Sequence, residues 1–205
     1  MRVESTKGEN QYKCWLTPDE VDALIEAAEQ LSHRHKVVVL LGTKVGLRAK
    51  EYTRIRPNDV FREAGKYRIT VRGKDTSGEL GDEGKRRDAY LPERVERELL
   101  ELQYDEDIAD DGPYFPVTKT RIRQMVHEAA REAARMGVGR REDWEKVSSH
   151  DLRRYYAHNL LVRQRVNPRV VMKNGGWETY SAIEPYLNEP TPENVNEEMA
   201  RAGLD

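Results

Sequence analysis

Cysteine is almost missing from this chain of 205 residues. Cys14 stands alone, so no internal disulfide can form, and a reducing compartment, by default the cytoplasm, is the expected setting. Long apolar runs are missing too. The longest aliphatic stretch, "VVVLL" at 37–41, falls far short of the roughly 20 residues of a membrane helix, which predicts a soluble chain that does not enter membranes. The opening "MRVESTKGENQYKCW" has no apolar h-region, so no secretory signal is expected. There is no Cys/His zinc spacing, no Gly-rich nucleotide loop and no His-Glu-x-x-His helix, which leaves no motif for a metal or nucleotide cofactor.

Net charge is also small, at -2, but that average hides a segregation along the chain. Residues 119–173 carry 14 Lys+Arg against 6 Asp+Glu, and residues 54–74 carry 7 against 2. Residues 174–205 carry 1 against 7. Arg outnumbers Lys by 24 to 11, and the planar guanidinium fork matches phosphate oxygens two at a time. Basic blocks of this kind fit a nucleic-acid backbone, and each one alone also fits an ordinary solvated helix face.

With 37% hydrophobic residues the chain can bury one substantial core. "LTPDEVDALIEAAEQL" predicts a helix capped by Thr17, with Pro18 at its first position, Glu20 closing a capping box, and Val21, Leu24, Ile25 and Ala28 at helical spacing. A second helix is expected over 35–45, closing at Gly46, with a short third through "LRAKEYTRI" before Pro57. "KYRITVRGK" alternates as a half-buried strand and "RRDAYLP" reads as its returning partner. Helices follow over "PERVERELLEL", "KTRIRQMVHEAAREAARM", from His150 onward, and from Asn167-Pro168 to Gly175. "TYSAIEPYL" reads as one short helix with Tyr180 and Tyr186 near its ends, and an acidic helix terminates the chain. No repeat interrupts this order, so the expected class is α+β, mainly helical, with a small antiparallel β-sheet.

Read in sequence, the chain offers Arg48 in "GLRAKE", Lys74 in "VRGK", His150 and Arg153 in "HDLRR", Trp177 in "GGW" and Tyr186 in "IEPY". A His-x-x-Arg spacing on its own means little in an arginine-rich chain. The ordered set resembles the catalytic domain of the tyrosine recombinase (phage integrase) family, which presents Arg, a hairpin Lys, His-x-x-Arg, His or Trp, and a nucleophilic Tyr nine residues later. The resemblance spans about residues 15–188 and implies that family's fold, with 1–14 as an N-terminal extension and 189–205 as an acidic tail that docks in trans. It implies a site-specific DNA recombinase working through a 3'-phosphotyrosine, with double-stranded DNA as partner, a tetramer on DNA, no small-molecule substrate and no cofactor.

The chemistry asks for these residue types independently. Displacement at a phosphodiester builds negative charge on the non-bridging oxygens, which Arg48 and Arg153 suit; one such preorganised donor is typically worth about 100- to 1000-fold. His150, one helical turn from Arg153, can take the tyrosine proton or bond the phosphate. Lys74 is the expected general acid for the leaving 5'-oxygen, and Lys85 is its rival because the intervening loop is long. Tyr186 would attack; Tyr180, Tyr155 and Tyr156 are expected to pack instead. Two other readings stay open: a type IB topoisomerase and a DNA-binding regulator that has lost cleavage. The family usually places a helical DNA-clamping domain ahead of the catalytic one, whereas about 15 residues precede the first helix here, which implies either a part of a longer protein or a single-domain member.

Overall fold

The computed structural model describes residues 1–6, 12–73, 85–187 and 190–204. Its elements run β1 (Arg2–Ser5), β2 (Tyr12–Trp15), α1 (Pro18–Leu31), α2 (His33–Leu40), α3 (Ala49–Tyr52), β3 (Val60–Glu63), β4 (Lys66–Arg72), β5 (Arg86–Tyr90), α4 (Glu93–Asp105) and α5 (Lys119–Arg135). Then come α6 (Arg141–Trp144), α7 (Ser149–His158), α8 (Pro168–Gly175), α9 (Glu184–Leu187) and α10 (Pro192–Arg201). The mainly helical α+β reading holds, with one antiparallel sheet ordered β3-β4-β5 and a separate β1-β2 hairpin. The β4-β5 pairing expected from the alternating strands is present, with Ile69 opposite Ala89 and Val71 opposite Arg87.

Two local features set up the site. The expected helix over 35–45 instead begins at His33, capped by the Ser32 hydroxyl, and from Leu41 to Val45 it widens into a π-turn. The Thr43 hydroxyl donates to the Val39 carbonyl at 2.8 Å inside that turn. Gly46 then stops the helix at φ 73°, in the left-handed region, and a Cβ there would lie 2.5 Å from the Tyr156 ring. The chain therefore leaves the core sharply, immediately before Arg48. A second π-turn, Asn159–Arg163, follows α7, so the two chain segments that carry the candidate arginines both adjoin widened helix.

The larger core is mainly aliphatic and lies among α1, α2, α4, α5 and the sheet, with Leu24, Val38, Leu41, Ile69, Leu99, Phe115 and Ile122 buried. A smaller cluster gathers Trp15, Tyr156, Ala157, Leu161, Val171, Trp177, Ile183 and Tyr186. The stretch 1–14 expected as an N-terminal extension contributes β1 and most of β2, and Cys14 is buried there, as is Trp15 just after it. The strand β3, the hairpin and α6 carry no clear periodicity in sequence, being only four residues long each. "TYSAIEPYL" is two pieces rather than one helix, a 3-10 turn over Tyr180–Ala182 and then α9, because Pro185 has no N–H for a continuous ladder and sits in a new first turn. Among the described residues no helix is long and apolar enough to cross a membrane.

Candidate active site

Arg48 occupies the extended position that caps α3. Its backbone N–H donates to Glu51 Oε2 at 2.8 Å, and its Nη1 donates to Glu51 Oε1 at 2.9 Å. Glu51 is 2% exposed and also receives a two-point grip from Arg87, at 2.7 and 2.8 Å. Burial alone would raise the Glu51 carboxyl, but hydrogen bonds and charge from Arg87, with Arg48 beside it, outweigh that and pull it down to about 2. The carboxylate is thus fixed as an anion behind a partly exposed Arg48.

Asp151 organises the start of α7. It accepts from the Ser148 N–H at 2.8 Å, the Ser148 hydroxyl at 2.7 Å and the Cys14 N–H at 2.9 Å, and it pairs with Arg154. Ser148 thereby closes a capping box, and β2 is stitched to the first turn of the helix. Arg153, on the next turn, is 1% exposed rather than a surface arginine. Its Nη1 donates to the Gly46 carbonyl and its Nη2 to the Gly175 carbonyl at 2.6 Å, while its guanidinium lies 3.9 Å from the centre of the Trp177 ring. Burial first, and then repulsion from Arg48, lowers it to about 9. His150 stands at the open rim of the same helix; the protein packed behind it, then Arg154, Arg153 and Arg48, push it down to about 4, so its imidazole is neutral at pH 7.

Trp177 joins this arrangement to Tyr186. Its ring stacks on Tyr156 (6.4 Å between centroids, 10°) and meets Tyr186 edge-on at 5.7 Å and 65°. Tyr186 is 9% exposed, with its N–H donating to the Ile183 carbonyl at 2.9 Å. Pro185 therefore introduces a compact turn, and the ring is packed rather than loosely carried. Tyr180, expected to pack against the preceding turn, is instead 56% exposed, because the 3-10 turn points it away from the cluster. Tyr155 and Tyr156 are buried packing residues as expected.

Lys74 lies outside the described residues. Its rival Lys85 immediately precedes β5, its carbonyl accepting from the Gly73 N–H at 2.7 Å and its ammonium pairing with Glu178 at 2.7 Å. Lys85 lines a cleft together with Arg48, Arg87, Gly176 and Trp177. Arg48 also borders a second cleft with Lys119, Arg123, His127, His150 and Arg153. One arginine thus stands on the ridge between two basic clefts, a geometry suited to a phosphate flanked by further phosphates on both sides.

The structure brings Arg48, Arg153, Trp177 and Tyr186 to one place, with His150 at its rim. Sequence reasoning missed Glu51, Arg87 and Asp151. For Glu51 a signal existed, a carboxylate three residues after Arg48 at a helix start; Arg87 had none, because one arginine in a basic strand is indistinguishable from its neighbours.

A family model described as the phage integrase family matches residues 14–191. The tyrosine recombinase XerA of Pyrococcus furiosus is 28% identical over 199 residues, covering 92% of this chain and 62% of the relative. In structure the chain resembles a crystal structure of XerA recombinase (TM-score 0.72, 20% identity, 92% of this chain and 65% of that one). It also resembles the XerH site-specific recombinase bound to palindromic difH substrate in a post-cleavage complex (TM-score 0.71, 19% identity, 96% and 55%). The chain spans less than two thirds of the length of each of these relatives, and at such identities the structural likeness speaks for the fold. With the family model covering the chain from Cys14 to Thr191, and with the tyrosine recombinase catalytic fold beneath it, this chain belongs to the phage integrase family.

Proposed function

We propose that this chain is the catalytic domain of a site-specific DNA recombinase that exchanges strands through a 3'-phosphotyrosine. The observation that carries the reading is the meeting of Arg48, Arg153, Trp177 and Tyr186, with a neutral His150 beside them. In this reading the Tyr186 oxygen attacks the scissile phosphorus and gives its proton to His150. The bond to the 5'-oxygen breaks, and that oxygen leaves with a proton from Lys74 or Lys85. Arg48 and Arg153 stabilise the charge that grows on the non-bridging oxygens. Attack by another strand's 5'-hydroxyl then reverses the step, so bond energy is retained without ATP. Charge stabilisation by guanidinium groups predicts that cleavage survives excess chelator.

Double-stranded DNA is the proposed partner, held in the two basic clefts, with a tetramer as the working assembly. The tail contributes to that assembly: α10 leaves Val195 and Met199 exposed, with Leu204 beyond it, while Arg165 holds its acidic face through Glu197 and Glu198. The decisive experiment is covalent trapping on a nicked duplex carrying the cognate site, with denaturing gels to detect the protein-DNA adduct. An adduct followed by recombinant product supports the proposal. An adduct without recombinants, together with relaxation of a supercoiled plasmid in a parallel assay, would indicate topoisomerase activity, and binding without any adduct would indicate a regulator.

A further inference from the structure

A helix ends with carbonyls that have no partner inside it and with a partial negative charge. At the end of α8 these carbonyls are met by arginines from three separate elements. The Asn174 carbonyl accepts from Arg87 Nε at 3.0 Å, the Gly175 carbonyl from Arg153 Nη2 at 2.6 Å, and the Gly176 carbonyl from Arg48 Nη2 at 3.2 Å. Arg153 comes from α7, Arg48 from the cap of α3, and Arg87 from β5. Two of the three belong to the proposed phosphate clamp. The third has had no role so far.

Arg87 is 9% exposed in its side chain, and all three of its guanidinium nitrogens donate to protein: Nε to α8, Nη1 and Nη2 to Glu51. Glu51 and the Gly176 carbonyl are also the two groups that hold the Arg48 guanidinium. Arg87 therefore ties Glu51, one support of Arg48, to the carbonyl two residues before the other, and although it borders the cleft its guanidinium nitrogens are all engaged by protein. The packing leaves little slack, since a Cβ at Gly176 would sit 2.8 Å from Arg87 Cδ and a Cβ at Gly175 would sit 1.8 Å from the Trp177 ring.

We propose that Arg87 is a positioning residue for strand cleavage, setting the guanidinium of Arg48 by fixing Glu51 against the end of α8. The inference rests on the recombinase reading above. A lysine cannot replace the fork, because a single ammonium cannot span a carboxylate and a carbonyl on opposite sides.

The test compares Arg87→Gln, Arg87→Lys and Arg48→Ala with the wild type, on nicked duplexes whose scissile phosphate is either normal or a methylphosphonate. A methylphosphonate has lost the non-bridging negative charge, so it relieves a defect in charge stabilisation and leaves a folding defect untouched. Arg87→Gln is expected to slow adduct formation on the normal phosphate, measured at saturating protein, by about 10- to 100-fold, as a displaced catalytic group does. On the methylphosphonate the defects of Arg87→Gln and Arg48→Ala are expected to shrink together. Arg87→Lys should fall between wild type and Arg87→Gln, and it carries the same comparison if Arg87→Gln does not fold. Wild-type cleavage by Arg87→Gln, or an equal defect on both substrates, overturns the proposal. If the wild type forms no adduct, it is the recombinase reading that has failed. Titration with inorganic phosphate, followed through the Gly175 and Gly176 amides by NMR, then decides: weaker binding in Arg87→Gln supports the positioning role, and unchanged binding rejects it.

Discussion

The two apolar clusters of this protein are made of different material. In the larger one, helices α1, α2, α4 and α5 interlock aliphatic side chains such as Leu24, Val38, Leu99 and Ile122. Four of the eight buried residues in the smaller one are Trp15, Tyr156, Trp177 and Tyr186, and arginines lie against it: Arg153 over Trp177, and Arg2 and Arg154 over Trp15. Helix α7 spans both, with Leu152 in the first and Tyr156 and Ala157 in the second. An aliphatic core gives rigidity but no chemistry. Aromatic faces tolerate a buried cation, so the smaller cluster is where guanidinium groups can be held dry and aimed. The candidate site sits on the seam.

That contrast can be broken most completely at the proposed nucleophile. Tyr186→Phe removes one oxygen from the small cluster while keeping the ring against Trp177, so DNA binding is expected to persist and the covalent adduct to vanish on denaturing gels. Tyr180→Phe, at an exposed ring, is expected to keep the adduct. An adduct that survives the first change and disappears in the second would reassign the nucleophile.

Next in size is a pair of packing changes, one in each cluster. Gly175→Ala would force a methyl into the Trp177 ring; such overpacking costs about 1–3 kcal/mol, but displacement of Trp177 and of the Gly175 carbonyl from Arg153 should slow cleavage by about 100-fold. Leu24→Ala should cost about 2–5 kcal/mol of stability and leave the cleavage rate per folded molecule unchanged. Thermal melts and single-turnover rates measured on both variants would separate the clusters. Equal effects on rate would show that they act as one.

Acid supplies a third probe. Glu51 has a folded value of about 2 against an ordinary 4.5, so the carboxylate stabilises the fold fully above 4.5 and progressively less as pH falls toward 2. The contribution is on the order of 3 kcal/mol, and Glu51→Gln is expected to flatten acid unfolding in that window. The smallest effect is local. His150 should titrate near 4, below the ordinary 6.5, in an NMR pH series, because the protein packed behind it and the neighbouring Arg154, Arg153 and Arg48 disfavour its charged form. A midpoint at 6.5 would show that the packing behind the ring and the neighbouring arginines do not perturb it.

Much of the arrangement was legible in the residues. The capping box at Thr17, the β4-β5 alternation, the helix from Asn167-Pro168 to Gly175 and the turn at Gly46 all follow from local rules, and the structure has each of them. The ordered residues from Arg48 to Tyr186 identified the family. Other features resisted reading for physical reasons. A π-turn at Leu41–Val45 differs from an α-helix by one hydrogen-bond step, which periodicity over so few residues does not register. The hairpin over Arg2–Ser5 and Tyr12–Trp15 is stabilised by its dock on α7 through Cys14 and Asp151, not by its own alternation.

What the sequence determined by itself was therefore the inventory: the elements, the phosphate-matching residue types, and the order in which the chain presents them. Only the tertiary structure decided which arginine is enclosed, which is fully engaged and which is left partly open. Arg48, Arg87 and Arg153 are the same side chain in three basic surroundings, and beyond the carboxylate three residues after Arg48 nothing local separates them. They diverge because folding brings the end of α8 against β5, α7 and the start of α3, so that Arg153 is enclosed by two carbonyls and an indole, Arg87 is spent on Glu51, and Arg48 is left partly open. Which nitrogens of a guanidinium stay open is set by the fold, and apart from the Arg48–Glu51 pair the partners lie 22 to 128 residues away along the chain.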